Sequence, residues 1–167
     1  MHILIIILVL IAVWRKSDWS RFHQFHATMI YMGTMNLLYI YFTTDYPLWT
    51  LHSNIGLPEP ILNLLYTFIV FPCTVIMFLS RFPGGWLHQV YYAGKWVLVY
   101  FVFEWIGYHA GAIDYNNGWS LIWSFQFLIV MFPMLRLHYV RPFLTYGLSV
   151  IIIAILLSIF EVPWLNN

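Results

Sequence analysis

An all-α protein, built as a polytopic bundle of membrane-crossing helices, is the fold class this sequence predicts, and three observations predict it. The 167 residues are 62% hydrophobic and only 8% charged, with a mean hydropathy of +0.80. A soluble globular domain carries about 25% charged residues, because water must be met over most of its surface. The apolar residues fall into six runs separated by polar breaks. The basic residues sit in alternate breaks, the asymmetry of a chain threaded back and forth through a bilayer.

The runs cover 3–14, 27–43, 61–79, 90–109, 119–135 and 143–160 and make one helical domain of the whole chain. A crossing helix needs about 20 residues, with a usual range of roughly 17–25. The second to sixth runs reach that length or come close. The first is short. It crosses with the bilayer thinned and Arg15 and Lys16 snorkelling outward, or it inserts only in part. Its basic residues follow the apolar stretch and no small-x-small pattern comes after, so it reads as a retained first helix, not a secretory signal.

Arg15, Lys16 and Arg21 lie between runs one and two, Arg81 and Lys95 near the break between three and four, and Arg136 and Arg141 between five and six. The breaks 44–60 and 110–118 contain no Lys or Arg and hold Asp45, Glu59 and Asp114. The positive-inside rule therefore places loops 15–26, 80–89 and 136–142 in the cytoplasm and loops 44–60 and 110–118 outside. An even number of crossings then puts both termini, Met1 and Asn167, outside. Trp14, Trp19, Trp86 and Trp96 mark the inner boundary, and Trp49, Trp119 and Trp164 the outer one. Runs this long and continuous exclude the short alternating strands of an outer-membrane barrel. A net charge of +1 offers no surface for nucleic acid.

A weak internal echo joins the two outer loops. Asp45-Tyr46-Pro47-Leu48-Trp49 precedes a run containing Phe71-Pro72 and then Arg81, and Asp114-Tyr115-Asn116-Asn117-Gly118-Trp119 precedes one containing Phe132-Pro133 and then Arg136. Such an echo would arise from a parallel repeat of helical hairpins, or from loop chemistry common at a headgroup boundary.

Glu104 is the acid set well inside a run, and an ionised acid in hydrocarbon costs about 2.5–3.5 kcal/mol on the insertion scale. At roughly 100° per residue, Gly107 and Gly111 share its face, with Tyr108 one turn away. Gly107-x-x-x-Gly111 would let another backbone approach, which turns this face into the bundle. Glu104 is then either a proton- or cation-binding carboxylate or a hydrogen-bonded group that fixes helix packing. Partners come from other runs: Gly33, Asn36 and Thr43; Asn63, Thr67 and Thr74, where Pro72 also frees a backbone carbonyl; Ser120 and Ser124; Thr145 and Ser149. Glu104, Tyr108, Asn36 and Asn63 make up the candidate intramembrane polar site. The plainer reading of these stripes is interhelical hydrogen bonding, worth about 0.6–2 kcal/mol per contact.

No metal site or cofactor is expected. His23 and His26 are spaced to share a metal, but no acid or cysteine accompanies them at a diagnostic distance. Cys73 stands alone, which excludes an intramolecular disulfide and a thiolate cluster. Nor is a catalytic residue assigned. Gly147-Leu148-Ser149 lacks the second glycine of a nucleophile elbow, and the sequence has no H-E-x-x-H, P-loop or dinucleotide fingerprint.

Taken in order, Asn36-Leu37-Leu38-Tyr39, Phe71-Pro72-Cys73-Thr74-Val75, Glu104-Trp105, Asn117-Gly118-Trp119 and the stretch Phe132-Pro133-Met134-Leu135-Arg136-Leu137-His138-Tyr139 resemble an uncharacterised family of small multi-pass membrane proteins of Bacillus- and Clostridium-type spore-formers. The resemblance implies a bacterial cell-membrane or spore-membrane setting and carries no activity, substrate or cofactor with it. The leading expectation is a non-enzymatic structural or accessory bundle, whose partners are the lipid bilayer and further copies of the chain or other membrane proteins. The alternatives are a small ion- or solute-translocating module using Glu104, and a membrane-embedded enzyme acting on lipid.

Overall fold

The computed structural model describes residues 1–52 and 56–163, so Trp164 and Asn167, two of the residues assigned to the outer side, lie outside the described residues. The six apolar runs form six helices among them: α1 (His2–Lys16), α2 (Phe22–Phe42), α3 (Glu59–Ser80), α4 (Trp86–His109), α5 (Leu121–Val140) and α6 (Pro142–Ile159). Two three-residue strands, β1 (Trp49–Leu51) and β2 (Ile113–Tyr115), complete the architecture. Three helices, α3, α5 and α6, are long and apolar enough to cross a membrane, and α1 is apolar but shorter. With 21 and 24 residues, α2 and α4 have the length as well, but His23, Gln24 and His26 in α2 and Gln89, Lys95 and Glu104 in α4 dilute their apolar character.

Helix boundaries follow local chemistry. Asp18 caps the short 3₁₀ turn ahead of α2, accepting from the Ser20 amide at 3.2 Å. Proline explains the irregularity inside α3. Pro72 has no amide proton and its ring crowds the carbonyl one turn back, and the helix widens into a π turn over Tyr66–Val70 just ahead of it. Between α5 and α6 the connection shrinks to Arg141, which leaves the helical conformation (φ −141°, ψ 72°) because Pro142 disfavours it in the residue before it. Residues 136–140, expected in a loop, are the last turn of α5. The helix continues past Arg136 because its guanidinium lies over the rings of Phe82 and Tyr139, at 4.7 and 5.3 Å from their centroids.

The core runs between α2, α3 and α5, where Phe25, Phe78, Phe132 and Leu135 are wholly buried. Around it the outward faces are apolar: Leu4 and Ile7 of α1, Ile30 of α2, Phe68 of α3, Val102 of α4, Ile122 of α5 and Val150 of α6 are all exposed. A water-soluble surface would hold polar side chains at most of these positions.

The connections sort to two ends. At one end the Asp18 amide donates to Ser80 Oγ at 3.4 Å and the Tyr139 hydroxyl to Gln24 Oε1 at 3.5 Å, which brings the cation-bearing breaks together. At the other, β1 and β2 pair antiparallel, with Trp49 opposite Tyr115, Thr50 opposite Asp114 and Leu51 opposite Ile113. The two segments of the internal echo are thus joined by a backbone ladder, but in a register that sets the first Trp against the second Tyr.

The tryptophans divide differently from the belts expected of them. Trp14, Trp19 and Trp86 are exposed at the basic end. Trp96 instead packs into the core against Phe78 and Phe132. Trp119 is buried with Leu48, Phe160 and Val162, because the ladder folds its loop back over the end of the bundle.

Candidate functional site

A cavity of about 660 Å3 opens between the helices, with residues of all six helices on its wall. Most of the lining is apolar, and Asn36, Asn63, Tyr66, Thr74, Tyr100, Glu104 and Ser124 supply polar groups. Three of the four predicted site residues, Glu104, Asn36 and Asn63, therefore face one space. Tyr108 does not. It is exposed and stacks on Tyr115, with ring centroids 4.9 Å apart.

The groups on the wall fall into two clusters. On α4 and α5 the Tyr115 hydroxyl donates to Glu104 Oε1 at 2.9 Å, and Trp119 Nε1–H donates to Ser124 Oγ at 2.8 Å. Burial, and then the Glu104 carboxylate beside it, push the Tyr115 hydroxyl well above its ordinary range. Tyr115 accordingly keeps its proton and remains a donor to Glu104. On α2 and α3, Asn36 Nδ2 donates to Thr67 Oγ1 at 2.7 Å, and the same hydroxyl donates to the Asn63 carbonyl four residues back at 2.6 Å.

The glycine pair splits into two roles. Gly107 is buried, and a Cβ there would meet Ile113 Cδ1 at 2.8 Å and Met1 Cε at 3.0 Å, so the close approach at this face is to α1 and β2. Gly111 has open space around it and a φ of +65°. It serves the turn after α4, where a left-handed residue ends the helix, and does not pack.

The remaining small polar residues are satisfied mostly within their own helices. The hydroxyls of Thr74, Thr145 and Ser149 donate to the carbonyls four residues back, at 2.8, 3.0 and 2.8 Å. Between helices, Thr74 meets the Tyr100 hydroxyl, Tyr31 meets Ser149 at 2.8 Å, and Thr28 meets His138 Nδ1 at 2.9 Å.

One residue at this end has no sequence signal. His2 is 2% exposed and joins three segments. Its Nε2 lies 3.1 Å from the carbonyl oxygens of both His52 and Ala112, and its Nδ1 is 2.9 Å from the Tyr66 hydroxyl. A carbonyl can only accept, so the proton sits on Nε2. A histidine ahead of an apolar run looks like a frayed terminus; the partners that bury it are 50 or more residues away.

Among the described residues no group of three or more His, Cys, Asp or Glu side chains converges as a metal site, and both His23 and His26 are exposed. The site is therefore a largely apolar chamber with hydrogen-bonded polar clusters built into its wall. Compared with known proteins, the chain matches no family model, no curated protein and no solved structure, so the reading of this chamber rests on its own geometry.

Proposed function

We propose that this chain is a membrane protein with six crossings and both termini outside, and that its bundle is a non-enzymatic holder of an apolar molecule. The cavity is the observation that carries the reading. An apolar recess of this size, open between the helices, leaves its walls uncovered, and an apolar occupant would cover them. Its volume falls within the roughly 300–1,000 Å3 of small-molecule sites. The gathering of cation-bearing connections at one end supports the six crossings, and the resemblance to spore-former membrane proteins supports a bacterial membrane as the setting.

Native mass spectrometry of protein released from phosphatidylcholine nanodiscs tests the holding role. A lipid adduct should persist on the wild type and be lost from Ala12→Trp, which puts an indole at the cavity wall. Protein that emerges free of lipid would refute the reading. For the orientation, cysteine at Tyr46 or Asn116 in a Cys73→Ala background should react with an impermeant maleimide outside intact cells, and cysteine at Gly84 should not. The opposite pattern reverses the topology.

A second reading has one observation in its favour: Glu104, an acid set well inside α4, faces the same cavity. Ion or solute translocation would then depend on its titration. Glu104→Gln should abolish flux in liposomes while leaving the fold intact; unchanged flux discards this reading.

A further inference from the structure

The cavity has one basic end, and among the described residues no ion pair is made there. Arg81, directly after the last residue of α3, and Lys95, in the third turn of α4, both reach the wall. Lys95 is exposed and stands five residues into the apolar run that begins at Val90, about 8 Å along the axis, so its ammonium group can reach the basic boundary. Among the described residues no carboxylate pairs with it, and the one ion pair joins His52 and Asp114 at 3.0 Å, at the opposite end of the bundle. Asp18, the acid at the basic end, accepts from the Ser20 amide and hydroxyl on Oδ1, at 3.2 and 2.6 Å, and makes no ion pair with Arg81 or Lys95. Glu104 lies nine residues beyond Lys95, again about 14 Å along the helix.

Two cations without partners therefore open onto a chamber whose neighbouring wall is Met77, Val99 and Phe103. A small inorganic anion would leave that wall bare, and a neutral hydrocarbon would leave the cations bare. On this basis, and resting on the holding role proposed above, we infer that the occupant is an anionic phospholipid, its phosphate between Arg81 and Lys95 and an acyl chain running into the cavity. Arginine suits this because its planar fork of donors matches phosphate oxygens, and lysine adds a mobile point charge. The cavity lining on α3 runs from Asn63 to Arg81. That is about 27 Å of helix axis, most of the roughly 30 Å hydrocarbon thickness.

The test uses the full chain in nanodiscs of equal phosphatidylglycerol and phosphatidylcholine with identical acyl chains, read by native mass spectrometry. The wild type should retain the anionic lipid over the zwitterionic one by roughly ten-fold, a difference of about 1.4 kcal/mol. Arg81→Gln with Lys95→Gln should still hold lipid but at a ratio near one, and Lys95→Arg should keep the preference. Arg141→Gln removes an exposed cation of the same end that is not on the cavity wall, and should leave the wild-type ratio. Elution as a single species checks the fold first. Should the double variant misfold, each single variant, altered at an exposed side chain, should show a reduced ratio. A wild-type ratio near one, a preference that survives the loss of both cations, or an equal loss in Arg141→Gln would overturn the inference. Wild-type protein that holds neither lipid would sink the holding role itself, a different result from holding both equally.

Discussion

The Tyr115 hydroxyl donates to Glu104 Oε1 across 2.9 Å, and so closes a loop of eleven residues onto the helix from which it has just emerged. The strand that carries Tyr115 is held in turn by β1, where Trp49 stands opposite Tyr115 and stacks on Tyr39 with ring centroids 3.7 Å apart. Glu104 is thus tied through one hydrogen bond to the ladder that joins the two cation-free connections.

Removing that donor should cost stability in proportion to what it satisfies. Tyr115→Phe is expected to destabilise the protein by about 1 kcal/mol, since a partly buried acceptor loses its partner. In a double-mutant cycle with Glu104→Leu, the two losses should fall short of additive by about 1 kcal/mol. Thermal unfolding in detergent measures it, and strictly additive losses would show that the two groups do not interact.

Thr67 is wholly buried and serves as acceptor for Asn36 and donor to the Asn63 carbonyl. Thr67→Val keeps the volume but strands the Asn36 amide, with an expected cost of about 1–2 kcal/mol. Thr67→Ser should recover most of it. If Ser and Val behave alike in the same unfolding assay, the hydroxyl is not what holds α2 to α3.

The two glycines at the end of α4 should respond to different substitutions. Gly107→Ala drives a methyl group against Ile113 and Met1, at an expected cost of about 1–3 kcal/mol. Gly111→Ala meets no atom but must hold a left-handed backbone, at about 1 kcal/mol, and Gly111→Asn should be milder because asparagine tolerates that conformation. Asparagine at 107 should be no better than alanine. Equal tolerance at both positions would contradict the division of roles.

The ladder makes a covalent prediction. Residues directly opposite in an antiparallel pair have Cα atoms about 4.5–5.5 Å apart, within the roughly 4.4–6.8 Å that a disulfide spans. Thr50→Cys with Asp114→Cys in a Cys73→Ala background should therefore crosslink on mild oxidation, seen as a shift in mobility on a non-reducing gel. Thr50→Cys with Asn117→Cys, away from this register, should react less. Losing the exposed His52–Asp114 pair should contribute little, because ion pairs open to water are worth about 0–1 kcal/mol.

Much of the architecture was legible because it depends on properties that add up along the chain. Apolar runs long enough to bury a helix mark all six helices, with ends displaced by a few residues where a cap or a proline intervenes, as at Asp18 and Pro142. The displaced end of α5 shows the limit of such reading: Arg136 looks like a loop residue until two aromatic rings are found beneath its guanidinium. Of the four polar residues picked out, Glu104, Asn36 and Asn63 lie on the cavity wall, and each was conspicuous as an acid or amide inside an apolar run. Tyr108 was drawn in by helical spacing alone and lies on the outer surface.

What the sequence by itself determined is therefore the class of protein, the number and extent of its helices and the segregation of its cations, all set by local composition and by the cost of placing charge in hydrocarbon. Only the tertiary structure decided that two three-residue strands pair across 64 positions, that His2 is buried against carbonyls 50 and 110 residues away, and that six helices leave a chamber between them with Arg81 and Lys95 at one end. Those outcomes depend on which faces meet and how completely their side chains fill the space between, and packing of that kind has no period that a linear pattern can carry.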